Sequence, residues 1–268
     1  MSGGPDSCGL ALLAAAAGLD ATLHHVDHGL RAGSEAEGDR VGALAMRLGL
    51  AYASHAAVIA SGPNLEARAR SARRAALPAD ALTGHTMDDQ AETVLLNLLR
   101  GAGLDGLAAM SPSTKPLLGL RRREVRELVA AEGVDVVVDG SNFDLSHKRN
   151  LVRARVLPEL NRVAARDLVP VLARQASLAR DAVAFLDEAA RDAVPDTGDV
   201  AALRDAPQVL RRRRLRDLAR GTDDASHPPS AAEVDRMEAV VLGDAVATEV
   251  SGGRRLARRR GRLKLDDG

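Results

Sequence analysis

Along the first half of this 268-residue chain, apolar positions switch repeatedly between a helical and a strand-like period, and that switching predicts the architecture. Residues 6–17 read as a helix, with Pro5 at or near its first turn, where a missing N–H costs nothing. ATLHHVDHG (21–29) reads as a short buried strand ending at Val26. In SEAEGDRVGALAMRLGL (34–50), Val41, Leu44, Ala45 and Leu48 share one helical face; Ser34 with Glu37 forms a capping box and Gly49 ends the helix. AYASHAAV (51–58) reads as a strand, NLEARARSARRAAL (64–77) as a helix capped by Asn64, and DALTGH (80–85) as a short strand. DDQAETVLLNLLRG (88–101) reads as a helix with Val94, Leu95, Leu98 and Leu99 inward, and RRREVRELVAAEG (121–133) as another. This alternation predicts an α/β fold with a doubly wound parallel sheet, whose ligands bind beyond the carboxyl ends of the strands.

After RNLVRARVLPEL (149–160) the pattern is helical to about residue 194, and PDTGD (195–199) reads as a linker. Two helical stretches follow, around 203–219 and 230–242, then strand candidates in 247–265 with Gly252–Gly253 suited to a hairpin turn. The expected organisation is an α/β domain over 1–160, a helical linker over 161–199 and a small α+β domain over 200–268.

Composition changes the picture in two places. Aromatics make up only 1% of the chain, so the core must be built from Ala, Leu and Val. The formal net charge is zero, yet residues 254–264 hold seven basic and no acidic side chains, and residues 211–220 hold six Arg and one Asp. Such segregation reads either as a polyanion-binding surface or as solvated helix faces. The single cysteine, Cys8, excludes an intrachain disulfide and a Cys-based zinc or iron–sulfur site within one chain. No run of about 18 apolar residues suggests a membrane span and no basic flank suggests a signal peptide, so the sequence predicts a cytoplasmic protein.

The candidate chemistry starts at SGGPDS (2–7). Gly3 and Gly4 permit close backbone approach to an anion, the helix start supplies N–H groups, and Ser2 and Ser7 add hydroxyls. Asp6 beside phosphates makes sense if it reaches a bound Mg²⁺. Asp88, Asp89 and Glu92 fall on one face of a helix start, where they can hold Mg²⁺ or an ammonium and help deprotonate that ammonium; the plainer reading of Asp88 is a simple N-cap.

SGGPDS, HVDHGLR (25–31), GHTMDDQAETVLLNLLRGAG (84–103), PLLGLRRREV (116–125), DGSN (139–142) and RNLVRARVLPEL occur in that order, and together they resemble the tRNA(Ile)-lysidine synthases, members of the PP-loop (N-type) ATP pyrophosphatases. The resemblance implies an adenine nucleotide alpha hydrolase-like fold. It also implies ATP-dependent adenylation of the wobble cytidine of a tRNA(Ile) with a CAU anticodon. Free L-lysine then attacks, with loss of pyrophosphate and AMP. On that resemblance ATP is held by Ser2, Gly3, Gly4, Pro5, Asp6, Ser7, Asp27, His28 and Arg100; Mg²⁺ is held by Asp6 and Asp89; and the catalytic set is Asp6, His85, Asp88, Asp89, Glu92 and Arg149, while the plainer readings are a turn motif for Asp27 and His28, a helix C-terminal cation for Arg100 and a strand cap for His85. Glu66, Arg68 and Arg70 fall beside the nucleotide loop, Arg153 and Arg155 either grip tRNA or are solvated, and the basic tail resembles that family's tRNA-binding module. A homodimer is left open. The family carries a strand before the loop, which places the expected true start upstream of Met1. Arg74 stands where the family has Tyr, and DGSN replaces Asp-Pro-Ser-Asn. The alternatives are another PP-loop tRNA-modifying enzyme, or an inactive tRNA-binding protein lacking the first strand.

Overall fold

A computed structural model describes residues 1–27, 34–57, 68, 71–72, 75–137, 140, 144–220 and 229–266. The expectations for His28, for most of the 64–77 helix with Glu66, Arg70 and Arg74, and for Asp139, Ser141 and Asn142 lie outside those residues. The chain divides into two compact units, Met1–Arg180 and Asp181–Gly268. No helix among the described residues is long and apolar enough to cross a membrane.

In the first unit, helix α1 (Pro5–Ala16) leads into strand β1 (Thr22–Asp27), helix α2 (Ser34–Leu48) and strand β2 (Ala51–Ala56). β1 and β2 pair in parallel, Thr22 opposite Ala51 through Asp27 opposite Ala56, with α2 as the crossover. Ala11, Leu12, Leu23, Val41, Leu44 and Ala45 close the core between α1, α2 and β1. Residues 1–3 run beside this ladder. The Met1 amino group donates to the His24 carbonyl, His25 Nδ1 lies 2.9 Å from the Met1 carbonyl, and Val137 N donates to Gly3 O at 2.9 Å.

Among the described residues the parallel sheet has these two strands. The strand expected at 80–85 is absent, for a physical reason. Gly84 lies so close to the first turn of α1 that a Cβ there would sit 2.4 Å from the Asp6 carbonyl oxygen. Thr83 N bonds to Thr114 O instead of to a neighbouring strand.

Helix α3 (Met87–Leu99), the single turn α4 (Leu104–Leu107), helix α5 (Arg122–Ala131) and the turn α6 (Lys148–Leu151) follow. α6 passes through a π-helical turn (Val152–Val156) into α7 (Leu157–Ala164). α3 buries Ala91, Leu95 and Leu96 against Val152, Leu157 and Val169. Leu98 and Leu99, expected inward, are 56% and 70% exposed, because the last turn of α3 runs past that core. Helix α8 (Val169–Ala193) contains the unit boundary.

The second unit packs helices α9 (Val200–Asp205), α10 (Gln208–Arg220) and α11 (Ala231–Leu242) with an antiparallel sheet of β3 (Ala247–Val250), β4 (Arg254–Arg259) and β5 (Arg262–Asp266). Leu203, Leu215, Met237, Val240, Val241 and Leu256 form a core without aromatics. The β3–β4 turn contains Gly252 and Gly253, both at positive φ, as their placement in the sequence predicts. PDTGD is an ordered turn of this unit: Asp199 caps α9 by accepting from Ala201 N and Ala202 N, and Asp196 binds Gly198 N and Arg262.

Candidate active site

The loop enters α1 through Gly4 as N-cap and Pro5 in the first turn. Gly3 has φ +70°, and a Cβ there would lie 2.7 Å from Val137 Cγ2, so both conformation and space require glycine. Ser7 Oγ donates to Gly4 O at 2.9 Å, and the Ser2 and Ser7 hydroxyls lie 3.4 Å apart. The first-turn N–H groups of Asp6 and Ser7 have no acceptor within the helix, which is the arrangement that receives phosphate oxygens. Cys8 is buried behind the loop, its thiol pushed up to about 11 by burial, and acts as a small packing residue.

The second part of the site is the start of α3. Thr86, not Asp88, is the N-cap: Asp89 Oδ2 accepts from Thr86 N at 2.9 Å and from Thr86 Oγ1 at 2.8 Å, closing a capping box. Asp88 instead accepts from Arg121 Nε at 3.1 Å, Arg121 Nη2 at 3.2 Å and the backbone N–H of Arg122 at 2.8 Å. Asp89 Oδ1 accepts from Arg122 Nη2 at 2.6 Å. Glu92 is fully buried. It accepts from Arg122 Nη1 at 3.0 Å and, in a fork, from Arg153 Nε at 2.7 Å and Nη2 at 3.1 Å. Arg149 donates to Thr93 Oγ1 at 2.9 Å, with its Nε 3.7 Å from Glu92 Oε2.

Asp6 meets this cluster from α1, its Oδ2 3.8 Å from Arg122 Nε. Its Oδ1 is buried and has no hydrogen-bond partner among the described residues. Burial, and then the neighbouring Asp89 charge, raise the Asp6 pKa against the opposing pull of Arg122. Burial pushes Asp89 the same way, but Arg122 and Thr86 outweigh it and hold that carboxyl below its ordinary value. The Arg121 and Arg122 donors likewise overcome burial at Asp88.

A divalent cation fits here at Asp6, whose orphaned oxygen is available. Both oxygens of Asp89 already accept hydrogen bonds, so Asp89 would share an ion only alongside Arg122. No group of three His, Cys, Asp or Glu side chains suited to a metal occurs among the described residues, so an ion held at Asp6 would need further oxygen ligands.

The structure thus gathers Asp6, Asp88, Asp89, Glu92 and Arg149. His85 sits immediately before the α3 cap, its Nδ1 2.9 Å from Thr83 Oγ1. Asp27 ends β1. Arg100 is the exposed C-cap of α3, about 18 Å along the axis from Asp88 at 1.5 Å per residue, and is not brought to the cluster. Arg153 is neither solvated nor open to tRNA along its Glu92-facing edge, whereas Arg155 is exposed. Sequence reasoning missed Arg121, Arg122 and Thr86. The T-x-x-D spacing of Thr86 and Asp89 carried the cap signal, but nothing local showed where the two arginines would point.

In the second unit, Arg259, Arg260, Arg262 and Lys264 line a concavity of ≈ 420 Å³ at the β4–β5 hairpin. The other basic run is engaged internally. Arg211, Arg213 and Arg214 are buried, and Arg211 and Arg212 both donate to Glu238.

A family model described as a PP-loop domain matches residues 1–160. The chain is 42% identical to a tRNA(Ile)-lysidine synthase of Thermobifida fusca over 81% of this chain and 74% of that protein. It is 39% identical to the Nocardia farcinica tRNA(Ile)-lysidine synthase over 99% of this chain and 90% of that protein. For the Salinispora tropica protein of the same name the figures are 40%, 99% and 89%. Among solved structures, the U34-tRNA thiolase NcsA from Methanococcus maripaludis, with its [4Fe-4S] cluster, superposes with a TM-score of 0.54 at 18% identity, over 67% of this chain and 71% of that one, a likeness of fold alone. With the SGGPDS loop and the DDQAET helix meeting at one cluster and relatives matched over nearly the whole length, the chain belongs to the tRNA(Ile)-lysidine synthase family of PP-loop proteins.

Proposed function

We propose that this chain joins the ε-amine of free lysine to C2 of the wobble cytidine of tRNA(Ile) with a CAU anticodon, through an adenylated tRNA, with release of pyrophosphate and AMP. One observation carries the reading: Asp6 of the phosphate loop and Asp89 and Glu92 of the signature helix converge on a single buried guanidinium, that of Arg122. ATP supplies the adenylyl group, and Mg²⁺ neutralises its phosphates. In this reading Ser2, Gly3, Gly4 and Ser7 and the first-turn N–H groups hold the phosphates, and Asp6 holds the ion. Pre-placed donors of this kind stabilise charge that develops on a leaving group. His85 and Arg149 flank the cluster and face the reacting base.

The β4–β5 hairpin is the proposed grip on the tRNA backbone. Its cations are exposed, and Arg262 also pairs with Asp196. Such contacts set affinity and its salt dependence rather than base identity.

The test is incorporation of labelled lysine into a tRNA(Ile) transcript with a CAU anticodon. Incorporation that requires ATP and Mg²⁺, and is lost when the wobble cytidine is replaced by uridine, is expected. Incorporation without ATP, or none with any tRNA, would refute the assignment.

A further inference from the structure

Arg122 lies in the PLLGLRRREV stretch, where the sequence gives it no individual role, yet it meets carboxylates from two helices. Its guanidinium reaches Asp89 at 2.6 Å and Glu92 at 3.0 Å on α3, and Asp6 at 3.8 Å on α1. Its backbone N–H binds Asp88. It is 9% exposed, so its charge is turned inward onto carboxylates. Three carboxylates in one low-dielectric cluster repel one another, and a cation between them removes that repulsion. The three do not depend on it equally. Glu92 keeps the Arg153 fork without Arg122, and Asp89 keeps its Thr86 cap. For Asp6, Arg122 is the only cation within ion-pair distance among the described residues.

The placement of Arg122 is set by packing. A Cβ on Gly9 of α1 would fall 2.3 Å from Val125 Cγ1, so α5 lies directly on α1 at that glycine. Val125 and Val129 are 1% and 3% exposed in that contact. Arg122 heads α5, one turn before Val125, and is thereby carried to the mouth of the phosphate loop.

We infer that Arg122 is a positioning residue that holds the Asp6 carboxylate in place beside the phosphate loop by bridging α1 to the signature helix, and does not itself touch substrate. The inference rests on the proposed use of the loop for ATP. Asp6 keeps one oxygen toward Arg122 and leaves the other for the ion that accompanies the phosphates. The fork geometry matters as well as the charge, since a lysine cannot reach Asp89, Glu92 and Asp6 at once.

A double-mutant cycle reads this directly. Binding of Mg²⁺-pyrophosphate and of Mg²⁺-ATP to the full chain, without tRNA or lysine, is measured by titration calorimetry for wild type, Arg122→Lys, Asp6→Asn and the double variant. Arg122→Met serves as a second replacement, and circular dichroism confirms that each variant is folded. The expected result is a weakening of about tenfold or more by Arg122→Lys in the wild-type background and of less than about twofold in Asp6→Asn, the non-additivity of residues acting through one contact. Equal weakening in both backgrounds, or unchanged binding, would overturn the inference. Failure of the wild-type chain to bind either ligand would instead overturn the reading of the loop on which it rests.

Discussion

Two arginine–carboxylate networks of similar density lie in the two units, and they do different things. In the first unit Arg121, Arg122, Arg149 and Arg153 surround Asp88, Asp89 and Glu92 at the mouth of a phosphate loop. In the second, Arg211 and Arg212 clamp Glu238, Arg213 binds Asp187, and Arg214 binds Asp217 and the carbonyls of Val194 and Pro195. Arg211 also donates to the Leu203, Arg204 and Ala206 carbonyls, which ties the end of α9 to α10. The second network is closed in that no buried side-chain atom of it lacks a partner among the described residues. The first is open at one atom, Asp6 Oδ1, and that atom belongs to the loop. An incomplete hydrogen-bond inventory, rather than charge density, separates the cluster proposed to work from the scaffold.

Breaking the closed network should have the largest effect on stability. Glu238→Ala leaves Arg211 and Arg212 without their shared partner, and a cost of about 3 kcal/mol is expected. Chemical denaturation checks this; an unchanged midpoint would mean that the pair contributes nothing net.

Gly84→Ala comes next, at about 1–3 kcal/mol for an added methyl with no room, and it acts on the site as well as on stability. Thermal melts with and without Mg²⁺-ATP should show both a lower midpoint and a smaller ligand-induced rise. A normal rise would show that the Asp6 backbone is not displaced.

Replacing Arg259 and Arg260 by Ala should leave stability nearly untouched and reduce the slope of log affinity for tRNA against log salt by about one to two, roughly one for each phosphate no longer neutralised. A filter-binding salt series decides, and an unchanged slope removes the hairpin from the interface.

The smallest effect concerns Glu233. The Ser251 hydroxyl, then the Ser230 N–H, lower its pKa from the ordinary 4.5 to about 2 as it ties α11 to the β3–β4 turn. A lowered folded-state pKa gives stability that is present above about 4.5 and lost as the pH falls toward 2. The melting difference between wild type and Glu233→Gln should therefore be largest near neutrality and shrink through that window; a pH-independent difference would contradict the linkage.

Much of this was legible in the sequence, and the gaps have causes. The helix after SGGPDS, the parallel pair of β1 and β2, and the terminal hairpin follow from period and glycine placement, which are local signals. The strand expected at DALTGH failed because Gly84 is fixed by a tertiary approach to α1 that no local pattern encodes. The basic run 211–220 looked like a surface because sequence shows charge but not its partners, and Glu238 and Asp187 lie 20 or more residues away. The role of Arg122, within the quoted PLLGLRRREV stretch, was hidden for the same reason: its three carboxylates come from two other helices.

The most direct test of the contrast between the networks is pyrophosphate release with the cognate tRNA transcript, ATP and Mg²⁺. It compares Asp6→Asn with Glu238→Gln, each below its own melting transition. The expected outcome is a loss of about a hundredfold or more for Asp6→Asn and a rate near wild type for Glu238→Gln. Pyrophosphate release at the wild-type rate by Asp6→Asn would contradict the assignment of the open network as the working one.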